Sequence, residues 1–282
     1  MVEDVQKIDK DTQKIDKSEY SVLCLGCGHM ASAMLRGWRA QNLPISIHII
    51  DPKPLAVDLQ VDHHSIYLDR LDSGVAFDVV LLAVPPQLAD IAMMGLAEYL
   101  HSDTLVISIM AGKTLAYLGT KLDDHKTLVR VMPNMPAQIG QGICGYIAAN
   151  PLDATQQNRF KALISATGTA IELKTESEMN IVTALSGSGP AYAFLLIKAM
   201  TEAGVSLGLD AQQAETLALH TVAGSGQFAL QAEESAQELL DKIAVAGGTT
   251  EAALKALNEN DGFGTLLKTA IHQAHNRAEE LG

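Results

Sequence analysis

The chain has 282 residues, 48 % hydrophobic and 19 % charged, which excludes a disordered chain and fits a globular one. Its formal charge of −13, from 20 Lys and Arg against 33 Asp and Glu, excludes a phosphate-backbone binder built on clustered cations, so no nucleic-acid partner is expected. Three cysteines, Cys24, Cys27 and Cys144, are too few for a disulfide framework; with a polar N-terminus that is no secretory signal, they point to the cytoplasm.

Residues 1–18 carry Gln-Lys-Ile-Asp-Lys at 6–10 and again at 13–17. One apolar residue per repeat cannot form a coiled-coil seam, so this stretch is read as a flexible tail. From Ser21 the pattern changes to short apolar runs that alternate with helical segments. Strands are predicted at 21–25, 45–50, 77–84, 105–109 and 128–132, with helices at 29–41, 87–100 and 114–121 between them. Later strands are predicted at 142–146 and 170–173, around a helix at 153–167. This alternation predicts a parallel, doubly wound sheet covered on both faces. Beyond about Glu176 the strands stop. Helices are predicted at 178–204, 211–232, 235–243, 249–258 and 263–280, an Ala- and Leu-rich half expected to dimerise. The expected division is therefore a tail at 1–18, a Rossmann domain at 19–175 and a helical dimerisation and substrate domain at 176–282. No stretch reaches the roughly 18 apolar residues expected of a membrane helix, so no membrane partner is expected.

Gly26-Cys27-Gly28-His29-Met30-Ala31 fits G-x-G-x-x-G/A between the first strand and the first helix, where the pattern signals a dinucleotide site. Gly26 permits the tight turn, Gly28 lets the backbone approach a diphosphate, and Ala31 keeps the helix close to the sheet. The helix start supplies a local positive end that an acidic protein otherwise lacks. Asp51 ends the second strand, where a carboxylate accepts the ribose 2′-hydroxyl of NADH and repels the 2′-phosphate of NADPH; Lys53 acts in the opposite sense. Cofactor choice thus leans to NADH and stays open. Cys24-x-x-Cys27 lacks a second Cys or His pair and is read as one core thiol and one loop residue. Ala111-Gly112-Lys113-Thr114 is no Walker loop, because Ile107 stands where the leading glycine is needed. His63-His64, His272 and His275 have no ligand frame around them, so no metal is expected.

Four later segments carry a resemblance. Ser108-Ile109-Met110-Ala111-Gly112-Lys113-Thr114-Leu115, Arg130-Val131-Met132-Pro133-Asn134-Met135-Pro136, Ser186-Gly187-Ser188-Gly189-Pro190-Ala191-Tyr192 and Val245-Ala246-Gly247-Gly248-Thr249-Thr250 follow the glycine loop in order. Together they resemble the pyrroline-5-carboxylate reductase family from about residue 20 to the end. The resemblance implies reduction of a cyclic imino acid by NADPH or NADH, completing proline biosynthesis. It also implies an interlocked homodimer or larger ring, with the site between the nucleotide domain and the helical dimer. It places Val84 and Ala111 along the cofactor and Asn134 near the nicotinamide. Gly247, Gly248, Thr249 and Thr250 would hold the substrate, with the Thr250 hydroxyl assisting proton delivery. A Gly-Gly-Thr-Thr run at a helix start is suited to a carboxylate on physical grounds alone, although simple capping by Thr uses the same geometry. The chain departs from the family at His29 for Asn, Pro85 for Lys, Met135 for Thr and Val245-Ala246 for Ser-Pro. Those departures keep two alternatives in view: a related imine reductase, and a cofactor-binding regulator without catalysis.

Overall fold

The computed structural model describes residues 20–53, 55, 57–60, 65–67, 76–259 and 262–281; the tail at 1–18 and the His63-His64 pair lie outside them. The chain divides into two compact units. One holds the described residues up to Gly187 together with the C-terminal stretch from His275, and the other is Ser188–Ala274.

The first unit runs β1 (Tyr20–Leu25), α1 (His29–Ala40), β2 (Ile45–Ile50), α2 (Val57–Gln60), β3 (Ser65–Tyr67), β4 (Val79–Leu82), α3 (Ala89–Ala92), β5 (Leu105–Ser108), α4 (Leu115–Lys121), β6 (Leu128–Met132), β7 (Gly142–Ala148), α5 (Ala154–Ser165), β8 (Gly168–Glu172) and α6 (Glu178–Val182). The strands form one sheet in the order β3-β2-β1-β4-β5-β6-β7-β8. β1 pairs in parallel with both β2 and β4, so the strand order reverses between β1 and β4. Ligands of doubly wound folds bind at that reversal, outside the carboxyl ends of the strands.

The alternation of apolar side chains explains why both faces are covered. Val22, Cys24, Val79, Leu81, Ile107, Val129 and Val131 face Met34, Leu35 and Trp38 of α1 and Phe160 and Leu163 of α5. Leu23, Leu25, Val80, Leu82, Val106 and Leu128 face the other way, onto Leu96, Leu118 and Leu122. Trp38 is 1 % exposed, and its indole N–H donates to the Leu163 carbonyl at 2.8 Å, joining α1 to α5. Trp38→Phe keeps most of the apolar contact but leaves that buried carbonyl without its donor. It is expected to cost about 1–3 kcal/mol in a denaturant titration.

Three elements differ from the sequence expectation. The helix expected at 87–100 is broken into a 3-10 turn at Pro86–Leu88, the single turn of α3 and a second 3-10 turn at Leu96–Tyr99. Gly95, at φ +75°, takes the left-handed conformation that interrupts the helix. The sheet is not wholly parallel: β7 runs antiparallel to β6, and β8 returns parallel to β7. Only residues 133–141 link β6 to β7, with a 3-10 turn at Met135–Ile139, whereas a parallel crossover needs about a dozen residues or more. The helix expected at 178–204 is α6, then a π-helical turn at Thr183–Gly187, then α7 (Gly189–Ser206).

The second unit continues with α8 (Ala211–Gln231), α9 (Ala236–Ile243), α10 (Thr249–Asn258) and α11 (Gly262–Glu280), the last of which crosses back into the first unit. α7 packs on α8, and a Cβ at Gly204 would lie 3.1 Å from that of Ala214, so the helices approach closely. No residue of α7 is buried within the chain, and Phe194, Leu195, Leu217, Phe228 and Leu230 are exposed. The expectation of no membrane-length apolar segment is corrected here. Glu178–Ser206 contains an 18-residue window of mean hydropathy 1.3 that is 6 % buried. Serines and glycines at 186–189 break the run of apolar side chains without lowering the average enough to disqualify it.

Candidate active site

The glycine loop lies where β1 and β4 diverge. Gly26 has φ +84°, and a Cβ there would meet the Ala83 carbonyl oxygen and Val84 Cγ1 at 2.9 Å each. Val84 therefore packs directly on the turn. Gly28 is the opposite case: φ is −71°, and a Cβ would meet nothing within 4 Å. That space faces solvent, so the second glycine is not required by packing. Gly28 is also the N-cap of α1, makes no side-chain cap, and is followed by a first turn without acidic residues. Among the described residues, the N–H groups of Gly28, His29, Met30 and Ala31 have no hydrogen-bond partner. His29 is exposed, Met30 half-buried and Ala31 buried against the core.

Asp51 reaches into this loop from the end of β2. Its Oδ2 accepts from the Cys27 N–H at 2.6 Å and its Oδ1 from the Lys53 N–H at 2.7 Å. The carboxylate thus orders the loop as well as lying at its edge, while Lys53 is exposed beside it. Burial pushes the Cys27 thiol above its ordinary range, Cys24 well above it and Cys144 to about 12. These groups stay protonated at neutral pH, unlike redox or zinc-binding thiolates.

The loop after β5 holds Ala111, half-buried, and Gly112 at φ +74°. Thr114, in the Walker-like string, accepts the Tyr117 N–H and so caps α4. After β6, Asn134 is 7 % exposed and has both ends of its amide occupied. Its Oδ1 accepts the Ile143 N–H at 2.9 Å and its Nδ2 donates to the Ser186 carbonyl at 3.1 Å. Asn134 thereby ties the end of β6 to β7 and to the π-helical turn.

One ion pair escaped the reading of the sequence. Arg130, 5 % exposed at its side chain, donates to Glu176 Oε1 at 3.0 Å, and the same oxygen accepts the Leu115 N–H at 2.8 Å. The pair anchors the loop carrying Ala111. Its signal was an arginine inside the apolar run Leu128–Met132.

In the second unit, Gly247, Gly248, Thr249 and Thr250 form the entry to α10. Gly247 has φ +75°, and Gly248 is the N-cap without a side-chain cap. The threonine hydroxyls cap nothing. Among the described residues the N–H groups of Thr249, Thr250 and Glu251 have no partner, and neither have the two hydroxyls. Glu251 was not singled out in the sequence; its Oε2 accepts the Gly247 N–H at 2.7 Å.

A doubly wound sheet, a glycine turn at its reversal point and an uncapped helix start beside open space point to a dinucleotide-dependent oxidoreductase. Comparison narrows the class. Residues 176–281 match the family described as pyrroline-5-carboxylate reductase dimerisation, and residues 21–112 match that described as NADP oxidoreductase, coenzyme F420-dependent. A pyrroline-5-carboxylate reductase of Pseudomonas aeruginosa is 38 % identical over 263 residues, covering 91 % of this chain and 95 % of the relative. A pyrroline-5-carboxylate reductase from Coxiella burnetii has a similar structure, with TM-score 0.83, 32 % identity and coverage of 93 % and 98 % of the two chains. That of Plasmodium falciparum, solved with NADP bound, gives 0.81 at 27 % identity, covering 93 % and 99 %. The chain belongs to the pyrroline-5-carboxylate reductase family.

Proposed function

We propose that this chain reduces the C=N bond of 1-pyrroline-5-carboxylate with NADPH or NADH to give L-proline. The observation that carries the proposal is a pair of uncapped helix starts, at α1 and α10, each opening on glycines and each with free N–H groups. In a chain of charge −13, such groups are the local means of binding an anion. One would hold a dinucleotide diphosphate and the other the carboxylate of a cyclic imino acid.

The residues at α1 fit the cofactor: the open space at Gly28 admits a ligand that a side chain would exclude. Gly26 to Ala31 would hold the diphosphate, with Asp51 and Lys53 at the ribose end and Val84 and Ala111 beside the chain of the cofactor. Asn134 acts through the loop it orders. The bound dinucleotide supplies the hydride. The protein's own part is to bind and orient: Gly247, Gly248, Thr249 and Thr250 hold the carboxylate, and the Thr250 hydroxyl oxygen accepts from the ring N–H of the protonated imine. The protonated imine is already electrophilic, so positioning accounts for most of the catalysis.

We also propose a tail at 1–18, a dinucleotide domain at 19–175 and a helical domain at 176–282, acting as a cytoplasmic homodimer or larger homo-oligomer. A second copy covers the exposed apolar faces of α7 and α8.

Oxidation of NADH and of NADPH by the purified protein with pyrroline-5-carboxylate tests the reaction and ranks the cofactors. Thr250→Ala is expected to lower kcat/KM by about 10–100-fold, the range for losing a hydrogen bond to a charged group. Cofactor binding without turnover in the parent chain would overturn the reading.

A further inference from the structure

The turn before α10 runs from Val245 to Gly248, closed by the Gly248 N–H donating to the Val245 carbonyl at 3.0 Å. Its third residue, Gly247, has φ +75°. A four-residue turn with that closure and φ near +80° at the third position is of type II. Such turns favour proline at the second position, where its ring presets φ, and this chain has Ala246 there.

Something else must hold the turn, and Glu251 is placed to do it. In an ordinary capping box the third residue of a helix reaches back to the N–H of the N-cap. Here the N-cap is Gly248, whose N–H is already used within the turn. The Glu251 carboxylate reaches one residue further and accepts the Gly247 N–H at 2.7 Å. Gly247 thus has its positive φ and its amide direction fixed by a side chain of the helix that the turn precedes. The same bond keeps the carboxylate on the turn, away from the unpartnered N–H groups of Thr249 and Thr250.

We propose that Glu251 is a positioning residue that pins the substrate-carboxylate loop, doing by a side-chain hydrogen bond what proline at position 246 would do by its ring. The inference rests on the assignment of this loop to the carboxylate of a cyclic imino acid. When the pin is lost, the turn samples other conformers and only a fraction of molecules is competent to bind. Apparent affinity falls by that fraction, while the chemistry in the bound complex is unchanged.

The test compares the parent chain with Glu251→Ala, Glu251→Gln and the double variant Glu251→Ala, Ala246→Pro. Steady-state kinetics are followed with pyrroline-5-carboxylate, and amide hydrogen exchange with peptides spanning 244–250. Glu251→Ala is expected to raise KM for the imino acid roughly tenfold, with kcat and the KM for the dinucleotide unchanged. It should also speed exchange in those peptides. Glu251→Gln keeps an oxygen that accepts from Gly247 and is expected within about twofold of the parent. Proline at 246 is expected to recover most of the lost affinity. An unchanged KM in Glu251→Ala, a Gln variant as impaired as the Ala variant, or no recovery with proline would each overturn the proposal. If the parent chain itself fails to turn over the imino acid, the assigned reaction fails. Hydrogen exchange then still decides whether Glu251 pins the turn.

Discussion

A Gly28→Asp variant is expected to fold at least as well as the parent chain while losing dinucleotide affinity by about a hundredfold or more. The two effects have one origin. Gly28 already has the extended backbone of an N-cap, at φ −71° and ψ −166°, and an added Cβ would touch nothing within 4 Å. An aspartate there can accept from the free N–H groups of the first turn and complement the helix dipole. The stabilisation is worth a few tenths of a kcal/mol to about 1 kcal/mol over glycine. The same carboxylate fills the space and uses the donors that a diphosphate needs, and it adds a like charge. A fluorescence titration with NADH and NADPH, set beside thermal denaturation without ligand, reads both. Unaltered affinity would mean that the loop does not hold the diphosphate.

The second large effect is expected from Glu176→Ala. Arg130 is buried within β6, and one of its donors, Nε, already has no partner among the described residues. Removing Glu176 leaves the largely buried guanidinium without its carboxylate and also takes the acceptor from the Leu115 N–H. Glu176 is 28 % exposed, so the loss is expected below the roughly 3–5 kcal/mol of breaking a fully buried pair on one side, at about 2–3 kcal/mol, read as a lower midpoint in urea. Arg130→Met made in the same chain is expected to recover much of that loss, because the remaining charge no longer needs a counterion. If the double variant is as unstable as the single one, the pair matters through its geometry rather than its charge.

What the sequence revealed was local. The apolar runs of β1, β2, β5 and β6 end at glycine, proline or aspartate, and the observed strands agree with the expected ones to within a residue. The start of α10 at Thr249 was also legible, because two glycines precede a helical pattern. The misreadings depend on relations that no short window contains. The direction of β7 follows from which strand it meets and how little chain connects them. The Arg130–Glu176 bond spans 46 positions. The break in the 87–100 segment turned on the backbone of a single residue, Gly95. At the site, the types of residue were visible but their commitments were not. Asn134 has both ends of its amide bonded, whereas the Thr249 and Thr250 hydroxyls, which had an obvious capping role, have no partner among the described residues.

The chain leaves the first unit at Ser188 and returns to it at His275. The helical unit is therefore an insertion, flanked on both sides by sequence belonging to one body. A single cut within it leaves one fragment that begins in the first unit and another that ends in it. Deleting the stretch from His275 would take away residues that group with the first unit, although they lie far in sequence from the glycine loop.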